Sequence, residues 1–524
     1  MTVTDRVRLL FPILAALLYA GLRVQDRSLV REAGRFPDQM ATPMIRVTSR
    51  SGDSGVGGRK AAVLLVHGLS ASKSAMMTLA AGLASSGATV YAIDLPGHGQ
   101  SAATFDIPSC ELSIDSSLRE IRQREGPHSS LLLVGHSLGG GLALRVAQRN
   151  ESVAAVVALS PAAQPVDPGR LQNALILVGE FDLPNVRRGS RFLFESLSGA
   201  ALPPNISAGT FLSPDGRVKL IFLPWGDHST TLLRPQVLQE LRRRFQETGV
   251  VELSEPPGSL ADMLRVVFCI ALFMSTPAVF QVLMRIADRL NLRRRNTDVA
   301  TAEPGIRQLP LSPATTLGQG LSLYGLGAVS ALLLLKLLNP WDKLNLLGGG
   351  YLAGLLFYTG TFGMLFRPPR WKELRIGWAE LFAAGGAVLY LAGVVAPFLT
   401  EYFVNVSLTW NQLWRIPFLF LSVWPIYLLD EFVLSKSQGC HFVQAMVTHA
   451  SSRLILGLAL LIGFFVLGNG QFLLVLILPG LTILSVLAWL LADQVVGQAA
   501  NPLISSLFSS AITAYFFAVF FTRT

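Results

Sequence analysis

Leu131-Leu132-Leu133-Val134-Gly135-His136-Ser137-Leu138-Gly139-Gly140-Gly141-Leu142 is the stretch from which the fold of this chain is read. Leu131 to Val134 is a short apolar run of the kind that forms a buried strand. Leu138 to Gln148 has the pattern of an amphipathic helix. Between them, Gly135-His136-Ser137-Leu138-Gly139 fits G-x-S-x-G. The pentapeptide alone is a weak signal in a chain with 47 glycines. Its setting makes it specific, because the motif needs a strand, a sharp turn and a helix. Such a turn lifts the Ser137 hydroxyl above the sheet edge, at the positive end of the following helix.

Outward from this stretch, apolar runs alternate with helical patterns. Ala61 to Val66, Thr89 to Ile93, Leu131 to Val134, Val153 to Leu159, Leu175 to Val178 and Val218 to Leu223 read as strands. Met76 to Ser85, Ile114 to Arg124, Leu138 to Arg149, Arg187 to Leu197 and Arg234 to Glu247 read as helices. Alternation of this kind implies βαβ units and a doubly wound, mostly parallel α/β sheet. Asp215-Gly216 reads as a hairpin turn.

A serine hydroxyl is a poor nucleophile until a base takes its proton. His228 follows the last apolar strand, where a loop can return it to Ser137. A third group must hold the imidazole in one tautomer and stabilise its charged form. Asp182, just after the strand at Leu175 to Val178, fills that place, and Ser, Asp, His is the chain order this architecture requires. Glu180 is the rival acid. His67, His98 and His128 precede Ser137 and are excluded by that order; His67 and His98 read as loop supports. Asp227 adjoins His228 and cannot easily reach its ring. The backbone N–H groups of Leu69 and Leu138 are placed to bind an oxyanion, each such donor being typically worth about 3 kcal/mol.

The motifs Leu64-Leu65-Val66-His67-Gly68, Asp94-Leu95-Pro96-Gly97-His98-Gly99-Gln100-Ser101 and Gly135-His136-Ser137-Leu138-Gly139-Gly140 resemble the α/β-hydrolase superfamily. The resemblance covers roughly residues 43 to 248. It implies the fold and a Ser137–Asp182–His228 triad, but it does not single out a substrate. A serine nucleophile argues against the dehalogenases of that superfamily. Many members carry a lid between the sixth and seventh strands. Here only Ser160 to Asn173 fills that gap, with prolines at 161, 165 and 168, so an open site is expected.

The rest of the chain is of a different kind. The composition is 51% hydrophobic and 15% charged, with mean hydropathy +0.48. An ordinary soluble protein has about a quarter of its residues charged. The apolar excess lies after residue 260, past a short polar stretch with Pro256, Pro257 and Gly258. Domains are expected at 1–25 (an N-terminal transmembrane anchor), 40–250 (catalytic) and 260–524 (about eight transmembrane helices, all-α). A span needs about 20 apolar residues. Candidates are Leu9 to Leu22, Val266 to Met284, Leu321 to Leu338, Leu344 to Phe366, Ile376 to Leu399, Leu413 to Leu434, Leu454 to Leu467, Phe472 to Leu491 and Leu503 to Phe521. The seventh is short and can begin earlier. The first could instead be a secretory signal peptide; the lack of a clear cleavage site favours a retained anchor.

The net charge of +10 points to orientation signals rather than nucleic acid, because the basic residues cluster in loops between apolar segments. Arg285, Arg289, Arg293, Arg294, Arg295 and Arg307 occupy one loop, Arg367, Arg370, Lys372 and Arg375 the next, and Lys436 and Arg453 follow the sixth span. The intervening loops hold almost none. The positive-inside rule then puts these three loops in the cytoplasm and the hydrolase domain outside, in a bacterial plasma membrane. Arg23, Arg27, Arg31 and Arg35 after the first span argue against that orientation of it. Lys336, Glu380, Asp430, Glu431, His441, His449 and Asp493 lie near span ends, where interfacial placement is the cheaper explanation. Gly350 and Gly354 have the spacing that lets helices pack closely. Cys110, Cys269 and Cys440 form no zinc spacing, and neither a metal nor another cofactor is expected.

These readings converge on an extracytoplasmic, membrane-embedded serine hydrolase. It would cleave an acyl bond, an ester first, through an acyl-enzyme on Ser137. The expected partners are an acyl-ester or lipid-like substrate and the lipid bilayer; the sequence names no protein partner. The alternatives are an acyltransferase with the same triad, or a transporter or channel with an appended hydrolase domain. A catalytically dead interaction module is disfavoured by the complete triad.

Overall fold

The computed structural model describes residues 3–50, 60–167, 171, 173–203, 206, 208–228, 230–247, 249–250, 253–254, 260–290, 313–366, 377–402, 408–434, 442–466, 468, 472–496 and 502–524. They form two compact units. One comprises Ala15–Cys269, Phe398–Val406 and Thr522–Thr524; the other comprises Met1–Leu14, Ile270–Pro397 and Ser407–Phe521.

The first unit is built on a nine-stranded sheet. Its strands are β1 (Leu29–Arg35), β2 (Pro43–Ser49), β3 (Ala61–Val66), β4 (Thr89–Ile93), β5 (Ser130–His136), β6 (Val153–Leu159), β7 (Ala174–Gly179), β8 (Gly209–Leu212) and β9 (Val218–Leu223). The order is β1-β2-β4-β3-β5-β6-β7-β9-β8. Strands β4, β3, β5, β6, β7 and β9 are parallel, whereas β1, β2 and β8 are antiparallel to their neighbours. All six expected strands are present. The parallel ones are buried on both faces, which is why they appear as unbroken apolar runs. Two hydrophobic clusters, one on each face, form the core.

Helix α1 (Val3–Gln25) precedes the sheet. Helices α2 (Met77–Ser85), α3 (Ile107–Glu125), α4 (Leu138–Arg149), α5 (Pro184–Ser198) and α6 (Pro235–Glu247) connect or follow its strands. Helix α3 starts seven residues before the expected Ile114. The Asp106 side chain accepts from the Ser109 N–H at 2.8 Å and caps it, and Pro108 sits in the first turn. A proline-bearing first turn after a polar cap hides this start from an apolar-periodicity reading. The hairpin turn at Asp215-Gly216 joins β8 to β9, with Gly216 at φ +74°.

The second unit is helical, and the apolar helices Leu10–Arg23 and Leu264–Arg289 each have residues in both units. Four described helices are long and apolar enough to cross a membrane: Leu264–Arg289, Trp378–Thr400, Met446–Phe465 and Pro502–Phe520. Leu10–Arg23, Leu321–Leu337 and Leu484–Asp493 are shorter apolar helices. The expected span from Leu344 begins as helix only at Gly349, because Pro340–Leu344 forms a 3-10 turn ending at Asn345 in the left-handed region. The seventh starts earlier than Leu454, at Phe442. Gly350 and Gly354 pack closely, since a Cβ there would lie 2.5 Å from the Trp341 carbonyl oxygen and 2.7 Å from the Leu335 side chain, and Gly327 and Gly360 meet the Thr359 and Ile426 backbone at 2.5 and 2.3 Å.

Asp430 and His449 are packed inside this unit. Arg453 donates to both Asp430 carboxylate oxygens, at 2.5 and 3.2 Å, Tyr324 donates to the same group, and His449 stacks on Trp489. A paired charge satisfied on every side is the form in which ionised groups persist in an apolar interior. Arg293, Arg294, Arg295, Arg307, Arg367, Arg370, Lys372, Arg375, Lys436, Cys440 and His441 lie outside the described residues, as do Pro168, Pro256, Pro257 and Gly258.

Candidate active site

Strand β5 delivers Ser137 into a turn with φ +54° and ψ −118°, and α4 starts at the next residue. A non-glycine residue in that region is rare. The flanking glycines make the turn possible. A Cβ on Gly135 would lie 2.1 Å from the Gly139 carbonyl oxygen, and one on Gly139 would lie 2.5 Å from the Val66 and His67 carbonyl oxygens. The Ser137 N–H is tied to the Leu159 carbonyl at 2.9 Å, and the Ser137 carbonyl accepts from the Ala162 N–H at 2.9 Å.

The loops after β7 and β9 bring the other expected residues to Ser137. His228 Nε2 is 3.0 Å from Ser137 Oγ, and His228 Nδ1 is 2.9 Å from Asp182 Oδ1. Asp182 is buried, and its Oδ1 also accepts from the Leu183 N–H at 2.7 Å. Glu180 points elsewhere, accepting from the Trp225 N–H at 3.2 Å. The two loops are joined by backbone hydrogen bonds, from Phe181 N–H to Gly226 at 2.8 Å and from Glu180 N–H to Leu223 at 3.0 Å. A hydroxyl bonded to an imidazole that a buried carboxylate orients can lose its proton as it attacks.

Leu138 is the first residue of α4, with its N–H at the positive helix end. Leu69 follows Gly68, where a Cβ would come within 2.9 Å of the Ser137 Cβ. The backbone at Gly68–Leu69 and at Leu138 therefore lies beside Ser137. Among the described residues from Ser160 to Asn173 there is no helix or strand before Ala174.

Three supporting residues carry no sequence signal of this role. His136 donates from Nε2 to the His228 carbonyl at 2.9 Å, holding the base loop from below. Burial, reinforced by His228, pushes the His136 imidazole down to about 4, so it stays neutral. Ser160, at φ +45°, donates its N–H to the Leu177 carbonyl at 2.6 Å and starts the segment that meets the Ser137 carbonyl. Asp94 anchors the loop after β4, accepting from the Lys73 and Gln100 N–H groups at 2.8 and 2.9 Å and pairing with the Lys73 ammonium. Burial pushes the Asp94 pKa up, but Lys73, His67 and the Gln100 N–H together outweigh it and keep the carboxyl below its ordinary value.

Residues 57–196 match the family described as serine aminopeptidase, S33. The segment spans β3 to most of α5 and contains Ser137 and Asp182. No curated protein matches the chain. Several solved structures are similar to it. A bacterial membrane phospholipase A is 17% identical, covering 45% of this chain and 93% of its own, with a TM-score of 0.32. An esterase from Pyrococcus furiosus is 14% identical, covering 43% and 94%, with a TM-score of 0.34. A serine hydrolase without a lid from Xanthomonas campestris is 19% identical, covering 42% and 93%, with a TM-score of 0.30. The sheet order and the turn at Ser137 give the sheet-bearing unit the α/β-hydrolase fold, in keeping with the family match over residues 57–196.

Proposed function

We propose that the protein is a serine hydrolase that cleaves a carboxylic ester through an acyl-enzyme on Ser137. The observation that carries this reading is the hydrogen-bonded line Ser137–His228–Asp182, 3.0 and 2.9 Å long. Ser137 Oγ attacks the acyl carbon while its proton passes to His228 Nε2. The negative oxygen of the tetrahedral intermediate is held by the Leu69 and Leu138 N–H groups. The imidazolium, stabilised by Asp182, then protonates the departing alkoxide. Water, deprotonated by the same imidazole, attacks the acyl-enzyme and releases the acid and Ser137. The matched family is named for peptidases, so amides are the substrates to set against esters. Full-length protein in detergent should turn over aryl and glyceryl esters faster than aminoacyl amides and acyl thioesters. Turnover of aminoacyl amides alone would overturn the ester assignment.

We also propose the organisation 1–25 anchor, 40–250 hydrolase and 260–524 membrane domain, with the hydrolase domain extracytoplasmic. The distribution of Lys and Arg over alternate loops supports it, as do the four apolar helices. That side would present envelope lipids, lipid-linked polymers or external esters, and would exclude cytoplasmic coenzyme A thioesters. A periplasmic phosphatase reporter fused after Glu255 should be active, and one after Asn296 silent. Activity at Asn296 alone reverses the orientation.

A further inference from the structure

Leu69, the donor from the β3 loop, is held from two sides. On the first side, His67 Nε2 accepts from the Leu95 N–H at 3.0 Å, which leaves the ring proton on Nδ1. Nδ1 donates it to the Gly68 carbonyl at 2.7 Å. That carbonyl belongs to the same trans peptide as the Leu69 N–H, so fixing one fixes the direction of the other.

The second side is reached through Ser70, a non-glycine residue at φ +56°. Its hydroxyl is 3.1 Å from Thr522 Oγ1, and Thr522 Oγ1 is 3.0 Å from His98 Nε2. His98 Nδ1 donates to the Pro96 carbonyl at 2.8 Å, since a carbonyl can only accept. Nε2 is therefore the acceptor, Thr522 is its donor, and Ser70 donates to Thr522. Burial pushes His98 down to about 3, which keeps this neutral arrangement through the working pH range. Thr522 is 1% exposed.

The segment Thr522–Thr524 belongs to the same compact unit as the sheet. Its neighbour Arg523 is seated by the backbone, with Arg523 N–H to Gly97 at 3.0 Å and Phe105 N–H to the Arg523 carbonyl at 3.1 Å. The Arg523 guanidinium also donates to the Ser101 carbonyl. Residues more than 400 positions away in sequence thus share one hydrogen-bonded line with the loop beside Ser137.

We propose that Thr522 is a positioning residue for the reaction proposed above: through Ser70 it fixes the loop that presents the Leu69 N–H to the oxyanion. The inference rests on that reading of Ser137. An oxyanion donor acts in the transition state rather than in substrate binding. Displacing it by loosening its loop therefore lowers kcat and leaves KM unchanged.

The test uses full-length protein in detergent with an aryl ester. Thr522→Val should lower kcat about tenfold, less than outright removal of an oxyanion donor, with KM unchanged. Thr522→Ser, which keeps the hydroxyl, should restore it. Ser70→Ala breaks the same contact from the other end. It should match Thr522→Val, and the double variant should be no worse than either. It also serves if Thr522→Val fails to fold. Unchanged kcat in Thr522→Val or in Ser70→Ala overturns the inference, as does a rise in KM alone or a failure of Thr522→Ser to rescue. Fluorophosphonate labelling of Ser137 in the wild-type protein separates the two levels. If it is absent, the serine-hydrolase reading has failed; if it is present while the variants behave as wild type, only the role of Thr522 has failed.

Discussion

Ser137→Ala is expected to lower ester turnover by a factor on the order of 10⁶, the size of loss seen when a hydrolase nucleophile is removed outright. The backbone at this position is already in the left-handed region with a Cβ present, so alanine adds no strain that serine does not carry. The glycine contacts that shape the turn involve Gly135 and Gly139 and are untouched. The variant should therefore melt like the wild type while losing both turnover and covalent labelling by fluorophosphonates. Labelling that persists at another serine would remove Ser137 from the mechanism.

Asp182→Asn should cost a factor of about 10⁴, or about 5.5 kcal/mol in the barrier. Asp182 Oδ1 accepts from His228 Nδ1, and an asparagine can present an N–H there instead. That favours the tautomer with its proton on Nε2, which faces Ser137 and cannot then accept a proton from it. Glu180→Gln is the control. Glu180 caps the Trp225 N–H, and a glutamine oxygen can do the same, so turnover should change little. If steady-state kinetics show the larger loss for Glu180→Gln, the acid has been placed two residues too far along.

Much of this site could be read from residues alone. Ser137, Asp182 and His228 each stand at the end of an apolar run that is buried on both faces, and such strands announce themselves. The edge strands do not. In Leu29–Arg35 only Leu29 is buried, and β8 is largely exposed, so neither carries an apolar signature. Both antiparallel strands at the β2 edge depend on pairing that no local pattern encodes. The starts of α3 and α5 were obscured by polar or proline-bearing first turns. Asp430 and His449 looked interfacial because they stand near the ends of apolar runs; their partners Tyr324 and Arg453 come from other helices. Thr522 was illegible for the same reason at greater range, since nothing in Thr-Arg-Thr names Ser70 or His98 as its partners.

The hydrogen bonds joining the β7 and β9 loops place acid and base on one mount. Phe181 holds Gly226 and Glu180 holds Leu223, so displacement of either loop carries the other with it. Breathing of the sheet edge is then common-mode for Asp182 and His228, and their separation is insulated from it. His136 ties the same mount to the strand that carries Ser137, through the His228 carbonyl, so His228 is braced toward Asp182 and toward Ser137 alike.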